Sequence, residues 1–205
     1  MDMSETSAVS GQGMVMMGSA RTGYLALGAI LVWGGAVAVA SLNGTLRQIP
    51  AMGFGALIVG WFAAVSLAYV FSPGLQVLAA RVGLRAITGL QAWRIAAAAL
   101  FFWYGAHGWL PGEFVQRAAW GDLVAGVAGG VVCLWPVRGG YWLVHLFGLA
   151  DLVLATATGM RLRLLGPAEM QNIASFPVAL IPLFGVGLTA ATHLVAFDLL
   201  RRGKR

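Results

Sequence analysis

Cysteine and lysine are almost absent from this chain of 205 residues, which contains one of each. The single Cys133 excludes an intrachain disulfide, a dithiol redox pair and a cysteine-based zinc site. We expect Cys133 to be a small residue packed in an apolar core. Lys204 lies in the C-terminal tail. No lysine is therefore available inside an apolar segment to form a retinal Schiff base.

Charged residues are also scarce, at 10% of the chain, whereas 60% of the residues are hydrophobic and the mean hydropathy is +0.83. A soluble domain has about 25% charged residues. Apolar runs of about 20 residues recur along the chain, and each is long enough to cross the ~30 Å hydrocarbon layer. The composition therefore predicts a polytopic membrane protein whose first partner is the lipid bilayer.

The net charge of +6 does not indicate a nucleic-acid partner, because the basic residues flank the apolar runs. Four of them form the basic tail 201–205, where we expect them to meet anionic headgroups. Nothing else in the composition suggests binding of DNA or RNA.

The apolar pattern predicts an all-α bundle of six transmembrane helices plus an interfacial amphipathic helix. A flexible N-terminal segment, 1–22, precedes a single transmembrane domain, 23–200, and the basic cytoplasmic tail 201–205 follows. The expected spans are about 24–44, 52–71, 89–109, 117–135, 141–159 and 176–199. Residues 75–88 have helical spacing with Arg81 and Arg85 on one face, which indicates the interfacial helix. Pro182 should kink the last span.

An even number of spans places both termini on one side of the membrane. With this topology, eight basic residues lie on the side of the termini and four on the opposite side. The first group is Arg21, Arg81, Arg85, Arg138, Arg201, Arg202, Lys204 and Arg205; the second is Arg47, Arg117, Arg161 and Arg163. The positive-inside rule therefore predicts that both termini are cytoplasmic.

Ionisable residues interrupt the four C-terminal spans. They are Arg94, Asp122, His145, Asp151, His193 and, at the inner margin, Asp198. Each charge at the bilayer centre costs about 2.5–3.5 kcal/mol. Such groups are tolerated when they face one another or a water-filled cavity. We therefore expect spans three to six to enclose a polar interior and the first two spans to buttress it.

The topology also assigns a depth to each residue. Arg94, His145 and His193 fall in one layer near the cytoplasmic edge, and Asp151 lies ~9 Å above His145 at 1.5 Å per residue. Asp122 is expected in the outer third of the membrane. There it is a helix-start carboxylate near the interface, a partner for His107 or a residue that lines an outer opening.

Arg94 and Asp151 are the central pair of this prediction. Arg94 either extends to the cytoplasmic headgroups or remains inside, where it pairs with Asp151 or Asp198 or contacts an anionic ligand. Asp151 has a short side chain in mid-membrane. It either pairs with Arg94 or carries a proton, and a protonatable carboxyl at that depth suits a proton-coupled carrier as well as a structural hydrogen bond.

His145 and His193 are expected at the same depth on facing helices. Two such histidines are able to hold a b-type haem iron, to relay protons, or to form hydrogen bonds that are structural or made to a ligand. Haem b is the one cofactor that the sequence suggests, and no other metal site is predicted.

Enzyme motifs are not apparent. The chain has no Gly-x-Ser-x-Gly, no His-Glu-x-x-His and no phosphate-binding glycine loop. We predict no catalytic residues, and an enzyme is the less favoured class.

One stretch resembles a family of bacterial polytopic inner-membrane proteins of unassigned function. It consists of Arg94, then Gly108-Trp-Leu-Pro-Gly-Glu-Phe114, then Gly121-Asp122, and further on Gly148-Leu-Ala-Asp-Leu152. Those proteins have an arginine in a span, a Leu-Pro turn and a Gly-Asp that opens the next span. The resemblance covers residues 89–200 and implies a bacterial inner membrane, but no activity.

Three functions remain open at this stage. The first is a protein that binds or carries a small molecule or a proton along a path formed by Arg94, Asp122, His145, Asp151 and His193. The second is a non-catalytic subunit or assembly factor of a larger membrane complex, packed through glycine-rich faces. Gly126-Val-Ala-Gly-Gly130 is such a face, and it suits packing within the bundle or a homodimer. The third is an electron-transfer protein that binds haem b through His145 and His193.

Overall fold

The computed structural model describes residues 3–137 and 139–203, with side chains from Arg21 onward. In that part of the chain the fold is helical and contains no strand. Six segments are long and apolar enough to cross a membrane: Arg21–Leu42, Ala51–Phe71, Pro73–Ala106, Gly112–Leu134, Gly140–Leu165 and Ile181–Arg201. The prediction of an all-α membrane bundle with six spans is confirmed.

Eight α-helices follow one another along the chain. They are α1 (Met3–Leu42), α2 (Thr45–Gln48), α3 (Ala51–Phe71), α4 (Pro73–Gly89), α5 (Trp93–Ala106), α6 (Gly112–Leu134), α7 (Gly140–Leu165) and α8 (Gly187–Arg201). Short 3₁₀ turns at Leu90–Ala92 and Ala168–Ala174 and a π-helical segment at Ile181–Val186 complete the path.

The sequence marks several of these boundaries. Pro73 is the first residue of α4, where a missing N–H costs nothing, and the Ser72 hydroxyl accepts the backbone N–H of Leu75 at 3.3 Å. Gly166 ends α7 with φ at 83°, a left-handed conformation that glycine adopts without steric cost. Pro182 lies inside the π-helical segment, so the predicted disturbance of the last span takes the form of a wider helical turn.

The predicted interfacial helix corresponds to α4, but its second half belongs to the bundle core. Gly83 interrupts α4 with φ at 80°. Beyond it, Leu84, Ile87 and Thr88 are buried, and the chain continues through the 3₁₀ turn into α5 without a loop. The helical spacing of 75–88 could not reveal this break, because it depends on the backbone conformation of one glycine. An interfacial position for the first half of α4 stays a prediction.

Helices α4 to α8 surround the polar interior. Helix α6 packs between α5 and α7, and α8 packs against α3, α7 and α4. Gly126 and Gly129 allow α6 to approach α5 and α4 closely. A β-carbon added to Gly126 would lie 2.9 Å from the backbone nitrogen of Ile95, and one added to Gly129 would lie 2.9 Å from the carbonyl oxygen of Thr88. These glycines of the small-residue face therefore pack within the bundle.

Some predictions fall partly outside the described residues. The backbone of α1 is helical from Met3, which covers most of the predicted flexible segment 1–22, but side chains are described only from Arg21. Arg138, Lys204 and Arg205, which contribute to the basic side and the tail, lie outside the description.

Candidate functional site

The structure brings the predicted polar residues together in one buried cluster. Arg94 is on α5, Asp122 on α6, His145 and Asp151 on α7, and His193 on α8. All five side chains are buried, and Arg94 is 0% exposed. Four helices thus contribute ionisable groups to one interior site, as the cost of isolated charges in hydrocarbon requires.

Arg94 lies at the centre of this cluster and bridges two carboxylates. Its Nε donates to Asp122 Oδ1 at 2.6 Å, and its Nη2 forms an ion pair with Asp151 Oδ2. Its Nη1 donates to the carbonyl oxygen of Gly148 at 3.2 Å. The Arg94 side chain therefore does not extend to the headgroups. Arg94, Asp122 and Asp151 are called the acid–arginine triad below.

Two alternative pairings were wrong, and the expected membrane depth of Asp122 stays a prediction. Helix α6 begins at Gly112, so Asp122 lies roughly 15 Å along the axis, at 1.5 Å per residue, and is deep in the bundle. His107 is exposed and contacts the carbonyl oxygen of Trp103 at 2.8 Å. Asp198 does not pair with Arg94, since it accepts hydrogen bonds from Tyr69 at 2.6 Å and Arg202 at 2.8 Å.

The two histidines form a hydrogen-bonded pair next to the triad. His145 Nδ1 lies 2.8 Å from His193 Nδ1, and His145 Nε2 lies 2.9 Å from the Thr88 hydroxyl oxygen. That hydroxyl donates to the carbonyl oxygen of Leu84 at 2.8 Å. A neutral imidazole has one N–H donor and one acceptor nitrogen. With Thr88 donating to Leu84, the proton of His145 must therefore be on Nε2.

The direction of these hydrogen bonds leaves one acceptor atom of His193 without a donor. His145 Nδ1 accepts, so His193 Nδ1 donates, and His193 Nε2 is a bare acceptor nitrogen. It has no hydrogen-bond partner among the described residues. A β-carbon on Gly148 would lie 2.9 Å from this nitrogen and 3.2 Å from Arg94 Nη1. The histidine pair and the triad are therefore adjacent to each other at Gly148.

The haem alternative stays a prediction. The facing Nδ1 atoms of His145 and His193 lie at hydrogen-bond distance, and the ring centroids are 5.0 Å apart. Among the described residues, no group of three or more histidine, cysteine, aspartate or glutamate side chains could hold a metal ion.

The formal charges of the triad do not balance. Two carboxylates share one guanidinium, and the adjacent histidines, each with one N–H, contribute no charge. Charges about 4 Å apart interact by roughly 4 kcal/mol at an effective dielectric constant of 20. Arg94 is thus able to stabilise both acids, but with both ionised the cluster retains an excess negative charge in a medium that disfavours it.

The buried polar residues that sequence reasoning missed include Thr88, Gln91 and Arg163. Thr88 and Gln91 precede Arg94 at intervals of three residues, and this spacing was the signal that α4 and the 3₁₀ turn contribute to the polar interior. Gln91 Nε2 donates to the Thr192 hydroxyl at 3.0 Å. Arg163 lies beyond residue 159, the predicted end of the fifth span, yet it is in the last turn of α7 and is 6% exposed. No sequence signal distinguished it from the nearby exposed Arg161.

A family model described as "Domain of unknown function (DUF8737)" matches residues 49–201. The matched stretch contains α3 to α8 and every residue of the buried cluster, whereas α1 lies outside it. No curated protein and no solved structure matches the chain.

Proposed function

The chain belongs to the DUF8737 family, and we propose that it is a multi-pass membrane carrier that binds and releases a proton at the acid–arginine triad. The observation that carries the proposal is that Asp122 and Asp151 share the fully buried Arg94. Because a fold does not by itself imply a function, the proposal rests on the chemistry of the triad.

A proton is the ion that balances the triad with the least rearrangement. When both acids are ionised, the triad has one negative charge in excess, and a buried net charge is costly. One proton on Asp122 or Asp151 removes this excess and leaves an ordinary ion pair with Arg94. Because the two acids contact the same guanidinium, the proton belongs to the pair as a whole.

A mostly apolar cavity lies on one side of the triad, and a chain of hydrogen-bonded polar groups lies on the other. On one side, Asp122 borders a cavity that reaches the last turn of α7. On the other side, the bare His193 Nε2 lies near Arg94 Nη1 and is linked through His145 to Thr88. These groups could pass a proton between the triad and the α4–α5 junction.

The orientation in the membrane follows from the basic residues. The side of the termini has eight arginines and lysines, and the opposite side has four. Under the positive-inside rule both termini are cytoplasmic, and the resemblance stated above favours a bacterial inner membrane. In this orientation the cavity at the last turn of α7 faces outward and Thr88 faces the cytoplasm.

Proton flux into liposomes tests this function. Purified protein is reconstituted with a pH-sensitive dye inside, and a potassium gradient with valinomycin supplies the driving force. We expect the parent protein to acidify the lumen and Asp122→Asn and Asp151→Asn to lower the rate at least tenfold. Asp198→Asn is the matched control, because Asp198 lies near the end of α8 outside the triad. Flux equal to that of empty liposomes, or equal in all variants, contradicts the proposal.

A further inference from the structure

A cavity of about 40 Å³ lies beside the triad, beneath the 3₁₀ turn Ala168–Ala174. Its wall is mostly apolar and includes three aromatic rings. The apolar side chains that line it include those of Phe54, Phe101, Phe114, Leu152, Met170 and Ile173. Its polar lining consists of Asp122 and Thr156 and, in the last turn of α7, Arg163.

Arg163 is a buried cation without an acidic partner among the described residues. Its Nη2 donates to the carbonyl oxygen of Ile49 at 2.9 Å, and its guanidinium carbon lies 4.3 Å from the ring centre of Phe54. Its Nε and Nη1 are buried and find no hydrogen-bond partner in the described part of the chain. Guanidinium donors that are removed from water and left unpaired cost free energy.

The neighbouring basic residues differ from Arg163, because they are exposed and pair with an acid. Arg161 and Arg117 are both 49% exposed, and both form ion pairs with Glu113. Asp122 lines the cavity together with Arg163, but its Oδ1 is already bonded to Arg94. The charge of Arg163 therefore lacks a close counter-charge among the described residues, and the Arg163 side chain lines the cavity.

We infer that this cavity binds a short-chain monocarboxylate, with the carboxylate at Arg163 and the alkyl group among the aromatic rings. Arginine is the preferred partner of carboxylates because its planar donors match their geometry. The apolar wall suits an alkyl group, as in most small-molecule pockets. A water needs roughly 10–15 Å³ of such volume, so 40 Å³ has room for a ligand of only a few heavy atoms.

This site differs from the proton site in its anchoring residue, Arg163, and of the triad residues it shares only Asp122. Arg163 lies 12 positions beyond Asp151 on α7, roughly 18 Å along the axis at 1.5 Å per residue. Anion binding at Arg163 does not require proton exchange at the triad. The experiments can therefore contradict the anion site without contradicting the proton site, and the reverse. The shared wall residue, Asp122, is the point at which the two sites meet.

Calorimetry with sodium propionate tests the inference on the purified full-length protein in nanodiscs. Sodium chloride at the same sodium concentration is the reference, and Arg161→Gln is the matched control because it removes the same charge from the exposed end of α7. We expect propionate to bind the parent and the control equally. Arg163→Gln should weaken binding at least tenfold.

A second pair of variants leaves Arg163 in place, in case its loss unfolds the protein. Ala155 lines the cavity, whereas Ala157 lies two residues further along α7 and is exposed outside it. Ala155→Leu should fill the space and abolish propionate binding, and Ala157→Leu should leave it unchanged. The inference is overturned if propionate does not bind the parent, if chloride binds as well as propionate, or if Ala155→Leu binds propionate like the parent.

Discussion

Gly121 of α6 lies directly against the carboxylate of Asp151 on α7. A β-carbon at position 121 would overlap Asp151 Oδ1. The absence of a side chain at this position lets the carboxylate of α7 reach Arg94 from beside Asp122, the next residue on α6. The Gly-Asp dipeptide therefore does two things at once: the glycine admits one acid to the triad and the aspartate supplies the other.

Replacing Gly121 with alanine should displace Asp151 from the triad. We expect Gly121→Ala to lower the free energy of unfolding by about 1–3 kcal/mol, the usual cost of overpacking. Gly130→Ala is the control on the same helix, because nothing lies within 4 Å of its added β-carbon. It should be neutral or stabilise α6 by up to about 1 kcal/mol. Thermal unfolding of both variants in one detergent gives the comparison, and equal stability would show that the contact is not required.

Loss of Arg94 should destabilise the bundle more than loss of the whole triad. Arg94→Gln leaves two buried acids without a cation, and breaking a buried ion pair in this way costs about 3–5 kcal/mol. The triple variant Arg94→Met, Asp122→Asn, Asp151→Asn removes every charge and should recover most of this loss. Denaturant unfolding measures both, with Arg161→Gln as a surface control that costs about 0–1 kcal/mol. A triple variant that is less stable than Arg94→Gln would contradict charge balance as the reason.

The Thr88 hydroxyl should matter because it fixes the tautomer of His145. Thr88→Val keeps the shape of the side chain and removes the acceptor of the His145 Nε2 proton. A buried donor left without a partner costs about 1–3 kcal/mol. Thr45→Val is the comparison, since the Thr45 hydroxyl bonds Asn43 at an exposed position and its loss should stay within about 0.5 kcal/mol. Equal decreases in the unfolding midpoints of both variants would show that the Thr88 hydroxyl contributes no more than an exposed one.

The convergence of the five polar residues could be predicted from sequence, and the reason is energetic. Otherwise apolar runs contain Arg94, Asp122, His145, Asp151 and His193. Because ionisable groups are costly in hydrocarbon, they are expected to face one another in the bundle interior. The pairing of Arg94 with Asp151 follows from the same argument. The number of spans and the five ionisable members of the cluster therefore required no knowledge of packing.

Helix boundaries and local backbone geometry could not be predicted in this way. Residues 112–116 include Gly112, Glu113 and Gln116, which suggested a loop, but they form the first turns of α6 and place Asp122 near the middle of that helix. The break at Gly83 and the burial of Arg163 likewise depend on how helices meet. Hydrophobic periodicity indicates which residues avoid water, but it does not predict where a helix begins or which neighbouring helix packs against it.

Infrared difference spectroscopy of the purified protein tests the central claim most directly, because a protonated carboxyl has a C=O stretch that a carboxylate lacks. The account predicts such a band in the parent and in Asp198→Asn, with an intensity that changes reversibly as the bulk pH is titrated. The band should be absent from the double variant Asp122→Asn, Asp151→Asn. A parent protein without this band at any pH at which it is folded, or a double variant that retains it, would contradict a shared proton at the acid–arginine triad.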